Sequence, residues 1–311
     1  MLLVHRVRRL RIRRAIAAAA LVAASAAGGF IWAQEPSQPA QPVYRVANEA
    51  GARPAIPAST PTQPLGPALP DATFDLTQQP GEHPLAPMIR VAKETLAHIE
   101  QNVRDYSCTL VKRERVDGEL GEYQHIFMKV RHEPFSVYLQ FVQPFAGREV
   151  LYVDGQNGNE MVVLEAGLKR RLLGKMNLDP HGMIAMRGQK YPITKVGMKN
   201  LLTELIERGE ADMQFAECEV SSDPSKQVNG RSATLIQIVH PVPRQNFRAH
   251  IVRVFMDNEL RVPIHYDAFS WPPQAGGQPP LEESYTYTNL KLNNNFTARD
   301  FDSENPDIFK M

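Results

Sequence analysis

Nine histidines, two cysteines and a cluster of methionines are the side chains of this 311-residue chain whose types invite a chemical role. A metal centre needs His, Cys or carboxylate ligands at recurring short spacings. His125 and His132 fail that test, since along an extended strand they point to opposite faces, and His240, His250 and His265 fall on different predicted strands. Surface or core-edge histidines are the favoured reading, with no metal and no other cofactor expected. The segment from Gly167 to Lys175 has the glycines and lysine of a phosphate-binding loop. Six residues rather than four separate those glycines, however, and Met176 stands where a metal-binding hydroxyl belongs. Neither a G-x-S-x-G elbow, an H-E-x-x-H helix nor a G-x-G-x-x-G turn occurs. Glu282-Glu283 and the pair Asp300 and Asp302 read as solvated edge and tail charges rather than a catalytic couple. The expectation is a protein that is not an enzyme.

Cys108 and Cys218 leave two readings open. A disulfide would close a loop of roughly 110 residues and stabilise the fold by about 4–5 kcal/mol in the chain-entropy view. The other reading is two buried thiols in a core. Met176, Met183, Met186 and Met198 lie in a glycine-interrupted stretch between two groups of strands. Methionine repacks against variable apolar shapes, so this stretch is either a lid over a hydrophobic ligand or a loop that completes the core. The basic runs Lys112-Arg113-Glu114-Arg115 and Lys169-Arg170-Arg171 could meet anionic headgroups or a partner. The solvated face of an alternating strand is the favoured reading for both.

The elements that must position these residues follow from periodicity. Leu85, Met88, Ile89, Ala92, Leu96, Ile99 and Val103 step by three and four, which predicts an amphipathic helix. Strand alternation follows over 106–116, 122–131, 135–141, 149–153 and 160–165, with Asp117-Gly118 and the run from Asp154 to Gly158 as turns. Such short connections make the neighbours antiparallel. A second helix is predicted over 198–208, then strands over 215–221, 232–240, 249–257, 262–269 and 282–290. No fixed period recurs, which excludes a solenoid or propeller. The fold class expected is α+β: one large curved antiparallel sheet, an unclosed β-barrel, with helices covering its concave face.

Six arginines precede the first acidic residue, Glu35, and an uncharged stretch runs from Ala15 to Ala33. Residues 1–33 therefore read as an export signal or, uncleaved, an N-terminal membrane anchor. Twelve of the 25 prolines fall between Gln34 and Pro87, and residues 34–84 read as a Pro/Ala/Gln-rich disordered tether. The globular part is then 85–311, a single domain. Without the first 33 residues, 29 basic face 34 acidic side chains, which argues against nucleic acid as a partner.

Three blocks resemble an uncharacterised family of secreted bacterial proteins, a domain of unknown function. They are the run from Tyr106 to Val116, Phe127-Met128-Lys129-Val130-Arg131 and the run from Pro134 to Leu139. Gly147-Arg148-Glu149-Val150-Leu151-Tyr152 and Lys190-Tyr191-Pro192-Ile193-Thr194 extend the match over about residues 85–311. The order helix, meander, helices, meander is similar to the LolA/LolB lipoprotein-carrier fold. The stretch from Asp257 to Pro263, Tyr266-Asp267 and Asp300-Phe301-Asp302 with Pro306 are similar to the closing part of those carriers. That resemblance implies an exported, periplasmic or cell-envelope protein that holds a lipid or acylated ligand without catalysis. The long tether departs from the carriers and suits a membrane-proximal acceptor or sensor better than a shuttle. The expected lining is Phe135, Val137, Leu139 and Phe141, with Met183 and Met186 from the lid; the same four strand residues would serve equally as plain core. The alternative is a structural or interaction module without a cavity, which binds another envelope protein or polysaccharide.

Overall fold

Alternation sorts residues 105–116 onto two faces, with Tyr106, Cys108, Leu110, Lys112 and Glu114 on one and Thr109, Val111, Arg113 and Arg115 on the other. In the computed structural model, which describes residues 74–215 and 217–309, this strand (β1, Asp105–Val116) lies in the middle of a 12-stranded antiparallel sheet. The short β2 (Glu119–Leu120) folds back on its end. A meander of β3 (Gln124–Arg131), β4 (Ser136–Gln143), β5 (Glu149–Val153), β6 (Met161–Leu164) and β7 (Lys175–Leu178) runs from β1 to one edge. The chain then restarts at the opposite edge. From there β8 (Glu219–Val228), β9 (Arg231–Val239), β10 (Ile251–Asp257), β11 (Pro263–Phe269) and β12 (Leu281–Leu292) run back to the centre. The two arms meet in one ladder, β1 against β12, from Tyr106 opposite Leu292 to Glu114 opposite Glu283.

Four helices accompany the sheet: α1 (Ala86–Asn102), α2 (Gly167–Leu173), α3 (Met183–Met186) and α4 (Met198–Asp212). The long pair, α1 and α4, lie antiparallel, as the ion pairs Lys93–Glu210 and Glu100–Lys199 show. Their apolar sides reach both arms of the sheet. Ile99, Met198 and Leu202 pack with Tyr106, Met128 and Val137, while Val91 packs with Ile236, Val254 and Tyr266. At the start of α4, Gly197 has φ +111°, and a Cβ there would sit 2.9 Å from Tyr106 Oη. Glycine thus lets the chain approach the buried tyrosine, whose oxygen accepts the Met198 N–H at 3.1 Å and satisfies one free donor of the helix start.

The outer face of the first arm is covered by the end of the chain. Phe301, Ile308 and Phe309 pack on Tyr138, Leu151 and Leu164, and Glu149 accepts both Tyr138 Oη and the Phe309 N–H at 2.6 Å. Asp300 caps the 3-10 turn Ala298–Phe301 and pairs with Lys129 at 3.2 Å, so it is a structural group rather than a solvated tail charge.

Several elements differ from the expectation. Residues 74–84, read with the tether, are packed on the fold: the Arg261 guanidinium lies 4.0 Å over the Phe74 ring, Arg90 donates to the Thr77 carbonyl, and His83 bonds the Phe215 carbonyl. One aromatic ring and a few polar anchors hold residues 74–84, which composition alone had joined to the tether. The proposed export signal and the rest of the tether lie outside the described residues. Strand β8 extends through Ser221-Ser222-Asp223-Pro224-Ser225-Lys226, where apolar alternation gives no signal. As an edge strand with a register shift between Asp223 and Lys226, it tolerates proline and polar side chains. Residues 167–173 form the helix α2 rather than a solvated strand face, and 175–178, within the glycine-interrupted stretch, form the edge strand β7. The disulfide is not formed. Cys108 and Cys218 are free, buried thiols in separate clusters, and four strands stand between β1 and the start of β8. At about 4.8 Å per strand, that separation far exceeds disulfide reach.

Candidate functional site: a cavity between sheet and helices

Inward-facing side chains do not close on one another everywhere. Between the sheet and α1, α4 and the 179–197 segment lies a cavity of about 1590 Å³. Leu110, Ile126, Leu139, Phe141, Val150 and Val163 line it from the first arm, and Ile236, Ile238, Val254, Met256, Tyr266 and Ala268 from the second. Leu85, Ile89, Leu201, Leu202 and Leu205 close it from the helices. A sheet whose two arms line one space must curve round it. The volume exceeds the roughly 300–1,000 Å³ of ordinary small-molecule pockets.

The expected lining residues divide. Leu139 and Phe141 face the cavity. Val137 shares their face but is fully buried in the core, and Phe135 borders a separate small recess beside His132 and Val196. The methionine stretch does cross the cavity, but through other residues. Met176, Leu178, Ile184, Ala185 and Gln189 line it, whereas Met183 is 90% exposed and Met186 lies outside the lining. The short helix α3 sets Ala185 against the core and Ile184, 74% exposed, at the cavity's edge, where a simple reading by residue type had chosen the methionines.

A buried polar cluster holds this strap to the sheet. Lys112 Nζ donates to Glu114 Oε2 at 3.0 Å and to Gln189 Oε1 at 2.7 Å, and the Lys190 N–H donates to Glu114 Oε2 at 3.2 Å. Lys190 Nζ pairs with Glu283 at 3.0 Å, Tyr191 and Tyr266 donate hydroxyls to that carboxylate at 3.3 and 3.1 Å, and Tyr285 Oη lies 3.3 Å from it. Two lysines balance two glutamates. Burial, reinforced by the nearby carboxylates, raises the phenol pKa values of Tyr191, Tyr266 and Tyr285, so all three remain donors. The inward half of the basic run is therefore not solvated: Lys112 and Glu114 are buried, while Arg113 and Arg115 point outward. Glu283 is likewise buried and Glu282 pairs with Arg115, which corrects their reading as edge charges. Strict alternation within 112–115 was the signal available for this.

At the far end of α4, Asp212 faces His240 Nε2 across 3.5 Å. His240 Nδ1 donates to the Ala249 carbonyl, which fixes the tautomer, and the ring stacks on Phe247 at 4.1 Å. Burial lowers the His240 pKa and raises that of Asp212. On the outer face, His265 bridges Thr286 and Asp267 at 2.7 and 2.9 Å. Among the described residues no group of His, Cys, Asp and Glu side chains is arranged to hold a metal ion, and no helix is long and apolar enough to cross a membrane.

Similar solved structures include these three. The lipoprotein LppX of Mycobacterium tuberculosis is 14% identical, with a TM-score of 0.38, 67% of this chain covered and 98% of that one. A LolA superfamily protein of Nitrosomonas europaea is 7% identical, with a TM-score of 0.29 and coverages of 69% and 97%. An uncharacterized conserved protein of Thermus thermophilus is 8% identical, with a TM-score of 0.38 and coverages of 68% and 91%. No curated protein matches the sequence. Residues 103–309, which run from the end of α1 through the last packed aromatic, match the family described as "protein of unknown function (DUF1571)", and the chain belongs to that family.

Proposed function

We propose that this protein is an exported component of the cell envelope that binds a lipid or other acyl-bearing ligand in the space between sheet and helices, without catalysing a reaction. The observation that carries this reading is the cavity itself: about 1590 Å³, walled by aliphatic and aromatic side chains from both arms and both long helices. An interaction module with a solid core would fill that space. Three ion pairs on the wall, Lys112 with Glu114, Lys190 with Glu283 and Arg148 with Glu165, keep these charges mutually neutralised, which supports binding of an apolar ligand beside them. The test is native mass spectrometry and lipid extraction of protein isolated from its own membranes. Co-purified acyl species that leave on delipidation are expected; a domain that is always empty and takes up no fluorescent fatty acid overturns the reading.

A further inference from the structure

The rim of the cavity is apolar and cationic together. Leu168, Leu172 and Leu173 on α2, Ile184 on α3 and Phe145 in the β4–β5 turn are exposed large apolar side chains, far from the usual fate of such residues. Arg170 fixes α2 to that turn, through the Gly147 carbonyl at 2.8 Å and Glu149 at 3.0 Å. Phe145 and Ile184 also line the cavity, and a side chain that meets both cavity and solvent stands at the mouth. The exposed charged residues of the lining are Lys169, Arg187, Lys195 and Arg248 against a single acidic one, Glu207. Arg171 adds a further cation on α2. This excess of positive charge along the lining sits on a chain whose residues beyond position 33 are net acidic.

Leucines interspersed with lysine and arginine suit an interface between water, anionic headgroups and acyl chains. We propose that this rim docks on an anionic lipid bilayer and seats the cavity mouth against the surface from which an acyl ligand enters. The entry route rests on the proposed ligand function; the docking does not. A protein partner would be expected to answer the cations with its own carboxylates and to cover the leucines in solution.

Leu172→Cys places one accessible thiol on the rim, because Cys108 and Cys218 are buried. Labelled with a polarity-sensitive fluorophore in the full-length chain, it reports rim insertion independently of any membrane binding by the N-terminal segment. With vesicles containing phosphatidylglycerol and tail-brominated lipid, the expected result is a blue shift and quenching. With phosphatidylcholine alone, affinity should be lower by roughly tenfold or more, since each cation near an anionic surface contributes about 1 kcal/mol, or fivefold. Arg171→Glu with Leu168→Glu should abolish insertion while uptake of a dispersed fluorescent fatty acid persists. A probe that stays in water, responds equally to both vesicles, or is already buried without vesicles overturns the proposal. Failure of the ligand reading would look different: the rim would insert, but no fatty acid would be taken up.

Discussion

Tyr285 Oη donates a 2.7 Å hydrogen bond to Glu114 Oε1, diagonally across the ladder that joins the two arms of the sheet. The same tyrosine reaches Glu283 at 3.3 Å, so it ties the two buried carboxylates of the cluster together. Charge balance here outweighs any single bond. Glu114→Ala leaves Lys112 buried without its counter-ion and should cost about 3–5 kcal/mol, whereas Tyr285→Phe should cost only about 1 kcal/mol. Urea denaturation of the two variants checks the ratio; equal losses would mean the cluster is hydrated rather than desolvated.

Gly197 offers a backbone test. Gly197→Ala forces a side chain into a positive-φ conformation against Tyr106 Oη and should lower stability by about 1–3 kcal/mol. Combining it with Tyr106→Phe should restore little, because the strain lies in the backbone as well as in the contact. Thermal melts of the single and double variants measure this.

If acyl chains occupy the cavity, affinity should climb with chain length. Each buried methylene contributes up to about 0.8 kcal/mol, roughly fourfold, until the space is full. Displacement of a fluorescent fatty acid by a homologous series gives the slope. Ala268→Phe, placed in the wall of the second arm, should weaken long-chain ligands by about tenfold or more.

His132 predicts the pH response. Its Nδ1 donates to the Val103 carbonyl at 2.7 Å, while Nε2 is buried without a partner. Burial foremost, with Lys199 nearby, lowers its pKa below the ordinary 6.5. The unfolded chain then binds the proton more readily than the folded one. Stability should be level above about pH 7 and fall as pH drops below 6.5 toward the depressed value. His240, whose pKa burial also lowers, contributes in the same direction, so His132→Phe should reduce that decline without abolishing it, as read by chemical denaturation from pH 5 to 8.

Both thiols should resist alkylation in the native state and react on unfolding. Burial raises the pKa of each, which removes the thiolate as well as the access. Intact-mass analysis after native and denaturing treatment checks it; a fixed oxidised pair would contradict the separation of β1 and β8.

Much of this architecture is readable from periodicity. The alternation of Leu110, Ile126, Leu139 and Phe141 predicts the inward face, and three-and-four spacing predicts both long helices, because these segments bury one face and solvate the other. What was not legible lacks that asymmetry. Strand β8 is polar on both faces, and α2 exposes its leucines instead of burying them. The Lys112, Glu114, Glu283 cluster needs partners from four separate segments, and no local pattern announces their meeting. Phe135 and Val137 share the right face yet stand beyond the cavity's end, a distinction of depth along the strand that alternation does not carry.

The ladder between the first strand and the last also bears on how the molecule comes into being. Tyr106 finds Leu292 only after every strand between them has been made, so the half-barrel has no stable seam until β12 is synthesised. Its first meander would wait with β1 as an open edge, exposed to wrong pairing. A chain of this topology gains from remaining unfolded until β12 is available to pair with β1. An export route that threads extended polypeptide would deliver it in that condition, and assembly would then begin with both terminal strands present at once.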